Sequence, residues 1–244
     1  MRKINVILIC LLLLSGCTLN KEEKREEQKS NSNTLEKLKQ ENIYNVEYKE
    51  EVKKLDHGIS AKRNRVSISS KKKDGSKNIS KYLNKVIDDS YSEFEKVVKD
   101  EYNKDSNYIF DYKYSLVSEN NKYITFKLHY IWQEGGPYPV EADSYYMFNI
   151  NTGNIVEFNE LFSSDIKSKV YDYILSYLKT VYKENDMEYN ESDYDLETTI
   201  FAPGYYVLNN GKLSFSLPRG SFTIAALGSI NIDIDSSIYS SHIK

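Results

Sequence analysis

The sequence predicts an α+β fold of antiparallel sheets with two long amphipathic helices, arranged as two small subdomains. Three observations predict it. Two stretches repeat apolar residues at helical spacing, several others alternate aromatic and polar residues, and the helical stretches fall between groups of strands.

At the N-terminus, Arg2 and Lys3 precede the apolar run Ile7–Leu14, which is too short for a permanent membrane-spanning helix. Leu14-Ser15-Gly16-Cys17 then sets small residues ahead of a cysteine. Residues 1–17 are therefore expected to be a bacterial lipoprotein signal peptide, with Cys17 lipidated as the new N-terminus. An ordinary signal peptide or an uncleaved anchor is the plainer alternative. Several acyl chains on one cysteine hold a protein stably to a membrane, so the expected location is the extracytoplasmic side of the bacterial cell membrane. Cys10 and Cys17 are the two cysteines, so cleavage and acylation leave no pair for a disulfide.

Residues 18–42 are almost wholly charged or polar and are expected to be a disordered tether. Residues 43–134 and 135–244 are expected to be N- and C-terminal α+β domains. Ile43 to Val52 and Gly58 to Ser70 carry weak period-two patterns of strands with a basic face. From Ser76 to about Asn103, Ile79, Leu83, Val86, Ile87, Phe94, Val97, Val98 and Tyr102 mark a long helix. Tyr108 to Leu116 and Ile124 to Trp132 alternate as two strands around a turn at Glu119-Asn120-Asn121. Tyr146, Phe148 and Ile150 mark another strand, with Asn151–Asn154 turning into Ile155 to Phe158. Ile166, Val170, Tyr173, Ile174, Tyr177, Leu178 and Val181 mark the second helix, which leads into an acidic stretch from Glu184 to Glu197. Tyr205 to Leu208, the turn Asn209-Asn210-Gly211, Lys212 to Leu217, and Ile230, Ile232 and Ile234 complete the strands.

Charge is divided unevenly along the chain. Residues 18–134 carry 24 basic and 21 acidic side chains, a net of +3, whereas residues 135–244 carry 7 and 15, a net of −8. That balance argues against nucleic acid and permits a cationic partner. Tyrosine, at 22 residues, suits half-buried strand surfaces because its ring is apolar and its hydroxyl tolerates water.

Catalytic constellations are not evident, and no enzyme, cofactor or metal is expected. His57, His129 and His242 are widely separated and lack zinc-ligand spacing; His129 is expected to be an ordinary strand side chain. No nucleophile elbow, phosphate loop or dinucleotide fingerprint occurs. Glu134, Glu141 and Asp143 flank a Gly-Pro break and could serve glycoside hydrolysis if paired across a cleft; a solvated loop is the plainer account. Asp186, Glu188, Glu191, Asp193, Asp195 and Glu197 could meet calcium or a basic protein, but lack an EF-hand pattern, and a solvated connection explains them as well.

The break itself, Gly135-Gly136-Pro137-Tyr138-Pro139, is the candidate binding loop, together with Glu141 and Asp143. The glycines allow backbone angles closed to other residues and the prolines stiffen the chain around Tyr138, holding its side chain in a constrained loop. Rigid aromatic loops suit binding because little entropy is lost on contact. A structural junction between the two domains is the competing account.

Asn42 to Glu134, continued by "SYYMFNINTGNIVEFNELF" and "YYVLNNGKLSFSLPRGSFTIAALGSINIDI", resembles the paired extracytoplasmic domains of the RsiV anti-sigma factors and the PdaC-type peptidoglycan deacetylases. In that family the second domain opens with Gly-Gly-Ala-His, continues through a Tyr-x-Phe-Asp-x-x-Thr-Gly-Lys hairpin and a Leu-Phe, and ends near an Ile-Ala-Pro-Tyr-Ala-Ala-Gly loop. Gly135-Gly136, Met147-Phe148-Asn149, Thr152-Gly153, Leu161-Phe162 and Ile224-Ala225-Ala226 with Gly228 hold those places here. Pro137-Tyr138 replaces the Ala-His, so a mechanism requiring that histidine is not expected, and Thr223 stands near the segment that precedes the family's proline.

These are domains of unknown function, with lysozyme binding in the RsiV branch. The resemblance implies a non-enzymatic cell-envelope lipoprotein with a ligand-recognition ectodomain, binding lysozyme or another cationic envelope-acting protein. A peptidoglycan-active hydrolase or deacetylase-associated domain, and a structural envelope lipoprotein, are the alternatives.

Overall fold

Helix α1 (Ser76–Asp100) lies on one face of a five-stranded sheet in the computed structural model, which describes residues 44–70, 75–191, 195–220 and 225–244. The expected signal peptide with Cys17, the tether of residues 18–42, and Ile43 lie outside the described residues, as do Asp193, Thr223 and Ile224. The sheet runs in the order β1 (Asn45–Lys54), β2 (Ser60–Ser69), β3 (Tyr108–Glu119), β4 (Tyr123–Glu134) and β5 (Val140–Asn149). After it come helix α2 (Ile166–Glu184) and an antiparallel sheet of β6 (Tyr206–Asn209), β7 (Lys212–Leu217) and β8 (Ile230–Asp233). The fold is α+β, with helices of 25 and 19 residues.

One pairing departs from the antiparallel pattern. Strands β2 and β3 run parallel from Ala61↔Phe110 to Arg63↔Tyr112, because α1 carries the chain back between them and parallel neighbours need such a crossover. Beyond Arg63, side chains replace the ladder. Asn64 Nδ2 donates to Tyr114 O at 3.0 Å, and Asn64 Oδ1 accepts from Tyr114 N at 2.8 Å. Asn84 of α1 does the same for Val66, donating to its carbonyl at 2.8 Å and accepting from its N–H at 3.0 Å. Ser80 Oγ accepts from Ile68 N at 3.0 Å. Buried backbone groups require partners, and α1 supplies them where β3 has turned away.

Two hydrophobic cores arise from the periodicity of the two helices. Ile79, Leu83, Ile87, Tyr91, Phe94 and Val98 of α1 pack on the first sheet. Ile166, Val170, Ile174, Leu178 and Tyr182 of α2 pack with Leu213, Phe215 and Ile232 of the second. Strand β5 serves both. Successive side chains of a strand point to opposite faces, so Tyr146 and Phe148 join the first core while Met147 joins the second and Tyr145 packs against it. This strand lies within residues 135–244, yet it pairs with β4 in continuous register from Trp132↔Val140 to Tyr123↔Asn149.

Local details depart from the expected boundaries for identifiable reasons. Helix α1 stops at Asp100, where Glu101 N–H closes on Val97 O at 2.9 Å, and Tyr102 instead stacks on His57 with ring centroids 3.8 Å apart. The strand expected at Ile155 to Phe158 is reduced to a bridge, Phe148↔Ile155. Glu157 and Glu160 form a reciprocal capping box there and start a helical turn at Phe158–Leu161. The Asn209-Asn210-Gly211 turn has positive φ at Asn210 (51°) and Gly211 (77°), the conformation that two-residue hairpins favour.

Candidate functional site

The segment from Gly135 to Pro139 joins β4 to β5 and is fastened at several points. Gly135 takes φ 77°, and its N–H donates to Asn107 O at 2.9 Å. Gln133 Nε2 donates to Gly136 O at 2.6 Å. From the segment after β7, Arg219 Nη1 donates to Pro139 O at 3.2 Å, and the guanidinium carbon lies 5.2 Å from the Tyr138 ring centroid. Ser229 Oγ donates to Glu141 O at 2.6 Å and accepts from Arg219 N at 3.1 Å. The loop is thus a strand connection and a pinned platform at once. Tyr138 remains 66% exposed at its tip.

Glu141 and Asp143, two residues apart on β5, share a face with His129 of β4. His129 Nδ1 is 2.9 Å from Asp143 Oδ1, and its Nε2 is 3.6 Å from Glu141 Oε1. Lys127 Nζ lies 3.3 Å from the other Asp143 oxygen. Glu134 is on the opposite face, beside Trp132 and α1; burial raises its pKa, and the charges of Glu93 and Glu101 add to the effect. The strand period therefore separates Glu134 from the other two carboxylates.

Between the two sheets lies an open cleft. One hollow of about 480 Å³ is lined by His129, Tyr138, Glu141, Asp143, Ser216, Arg219 and Asn231, among others. A second, of about 360 Å³, is lined by Val117, Tyr145, Asn209, Lys212, Asn231 and Asp233, among others. Of the residues at this cleft, Ser216, Arg219, Ser229 and Asn231 are not among the candidates that the sequence pattern offers. The turn Pro218-Arg219-Gly220 is a local signal for an exposed arginine, but nothing near it in the chain points to Tyr138.

The remaining candidates are structural in their surroundings. Ser163 Oγ lies 3.0 Å from His242 Nδ1, and Asp165 Oδ2 lies 3.4 Å from the same nitrogen. A serine-histidine-acid relay uses opposite ring nitrogens, so this cluster lacks that geometry. It fastens the Phe162↔Ile243 bridge. In the acidic segment, Tyr189 is buried and meets Tyr182 edge-on at 5.0 Å, while Lys179 pairs with Glu191 at 2.5 Å. Asp186 takes φ 57° and closes α2 in the left-handed conformation found at many helix ends. Among the described residues, no three His, Cys, Asp or Glu side chains are grouped to hold a metal, and no helix is long and apolar enough to cross a membrane.

No protein-family model matches the chain, and no curated protein matches it. Its fold is similar to the crystal structure of a DUF3298 family protein from Pseudomonas aeruginosa PAO1, with a TM-score of 0.53 and 8% identity over 82% of this chain and 94% of that one. A member of the same family from Bacteroides fragilis NCTC 9343 gives a TM-score of 0.52 and 13% identity, covering 82% of this chain and 93% of its own. At these identities the likeness is one of fold.

Proposed function

We propose that this chain is a non-enzymatic recognition protein of the bacterial cell envelope, anchored through an acylated Cys17 and binding a cationic protein at the Tyr138 loop. The reading rests above all on Tyr138, an exposed aromatic ring on a loop fastened by Gln133 of β4 and by Arg219 after β7. An aromatic anchor that is ordered before binding loses little entropy on contact, and such residues dominate interface energetics. The net charge of −8 over residues 135–244 and the exposed Glu141 beside the loop favour a positively charged partner. The fold shared with the DUF3298 family structures accords with the resemblance to RsiV-type domains, and that resemblance makes lysozyme the candidate.

Titration calorimetry of the purified protein with lysozyme at two salt concentrations tests the reading. Affinity is expected to weaken as salt rises, because exposed charges are screened over about 8 to 10 Å at physiological ionic strength. It is expected to fall further in Tyr138→Ala. No detectable heat at low salt removes lysozyme, and salt-independent binding insensitive to Tyr138→Ala removes the mechanism.

A further inference from the structure

We infer that the cleft between the two sheets is a binding site for a short neutral oligosaccharide. The two hollows are neighbours, since Asn231 lines both. Glu141, Asp143 and Tyr145 recur at every second residue along β5, and Ser229, Asn231 and Asp233 do so along the β8 segment. At the rise of a strand each of these rows extends for about 13 Å. That is the scale of a short oligosaccharide, not of a single sugar.

The side chains along it suit a polyol. Asp143 offers acceptors, Arg219 donors, and Asn231 and Ser216 both, so hydroxyl groups that donate and accept find partners on either wall. Tyr138 and Tyr145 add ring surface, one in each hollow, for the apolar face of a sugar. Much of the charge is already matched within the walls. Lys127 sits 3.3 Å from Asp143, and Lys212 sits 2.7 Å from Asp233, which also accepts from Ser214. A strongly charged ligand would have to break these pairs, whereas a neutral one would not.

Ser216 supplies an independent observation. Its residue is 1% exposed, it lines the larger hollow, and its Oγ has no hydrogen-bond partner among the described residues. Asn209 Oδ1, in the smaller hollow, is likewise without one. Buried polar groups are normally bonded, and two that are not both lie in the walls of this cleft, where a ligand hydroxyl can become their partner. The inference stands without the protein ligand proposed for the Tyr138 loop.

The test is calorimetric titration of the purified full chain, in a detergent without a sugar headgroup, with the tetramers of glucose and of N-acetylglucosamine. Saturable binding of at least one is expected, unchanged between low and high salt, and weakened about tenfold or more in Asn231→Ala and Asp143→Asn, a loss of roughly 1.4 kcal/mol. Asn231 is exposed, so its variant decides the matter if Asp143→Asn does not fold. Absence of saturable heat with both tetramers at millimolar concentration overturns the inference. So does binding that neither variant weakens, or displacement of the bound tetramer by an extended peptide of alternating serine and threonine at lower concentration. Failure of the lysozyme titration leaves this result untouched, and failure of the tetramers leaves the lysozyme reading untouched.

Discussion

Gly75 and Gly153 meet backbone to backbone, at the point where the start of α1 rests on the turn after β5. A Cβ on Gly75 would lie 2.4 Å from Gly153 N, and one on Gly153 would lie 2.1 Å from Gly75 O. Asn78 Nδ2 reinforces the contact by donating to Thr152 O at 3.1 Å. The Thr152-Gly153 pair thus has a local physical reason. Only a residue without a side chain allows the helix to sit so close.

Gly153→Ala combines that overlap with a φ of 70°, so it is expected to destabilise the protein by about 2–4 kcal/mol. Gly136→Ala, where a Cβ meets nothing within 4 Å, is the matched control with little change. Urea midpoints of the two variants check the difference.

Asn84→Ala removes the side chain that satisfies both backbone groups of Val66. Leaving them without partners is expected to cost about 1–3 kcal/mol and to speed hydrogen exchange at the Val66 amide. Ser92→Ala, which loses only an exposed bond to Asp88 O, is expected to stay within about 0.5 kcal/mol of the parent. Equal effects of the two would contradict the role given to Asn84.

Asp88 governs a pH dependence. Burial pushes its carboxyl up, but the hydrogen bond from Arg65 and the charges of Arg65, Arg63 and Lys53 outweigh burial and hold the pKa below 3.8. A depressed folded-state pKa contributes stability above the unfolded value, and that contribution disappears as pH falls through the folded value. Asp88→Asn is therefore expected to melt lower than the parent at neutral pH, with the gap closing in acid below 3.8. A gap that stays constant with pH would show that the shift does not stabilise the fold.

Arg219→Ala removes the bond to Pro139 O and the cation over Tyr138. The expected result is a loosened loop, with faster hydrogen exchange at the Gly135 amide that donates to Asn107 O in the parent, and global stability lowered by about 1–2 kcal/mol. Arg219→Lys is expected to restore little, because an ammonium lacks the planar fork that reaches the carbonyl while lying over the ring.

Cys17→Ala is expected to abolish labelling by a fatty-acid analogue and to prevent lipoprotein-type maturation. Phase partitioning with detergent measures the outcome after any alternative cleavage. Unchanged labelling in the variant refutes the lipid anchor.

What the chain alone determined is what one buried face imprints on it. The three- and four-residue spacing from Ile79 to Val98, the four-residue spacing from Ile166 to Tyr182, and the alternation from Tyr108 to Trp132 are traces of burial against a single surface, so both helices and the central strands could be read directly. The same is true of the Asn210-Gly211 turn, whose φ angles those residue types tolerate. Tertiary structure decided the rest. The parallel pairing of β2 with β3, the placing of β5 between two cores, and the sorting of Glu134 from Glu141 and Asp143 depend on which strands become neighbours. Arg219 reaches Pro139 across 80 positions, and Ser229 reaches Glu141 across 88. Contacts between segments so far apart leave no local period, because each side chain is chosen by a surface that exists only once the chain has closed on itself.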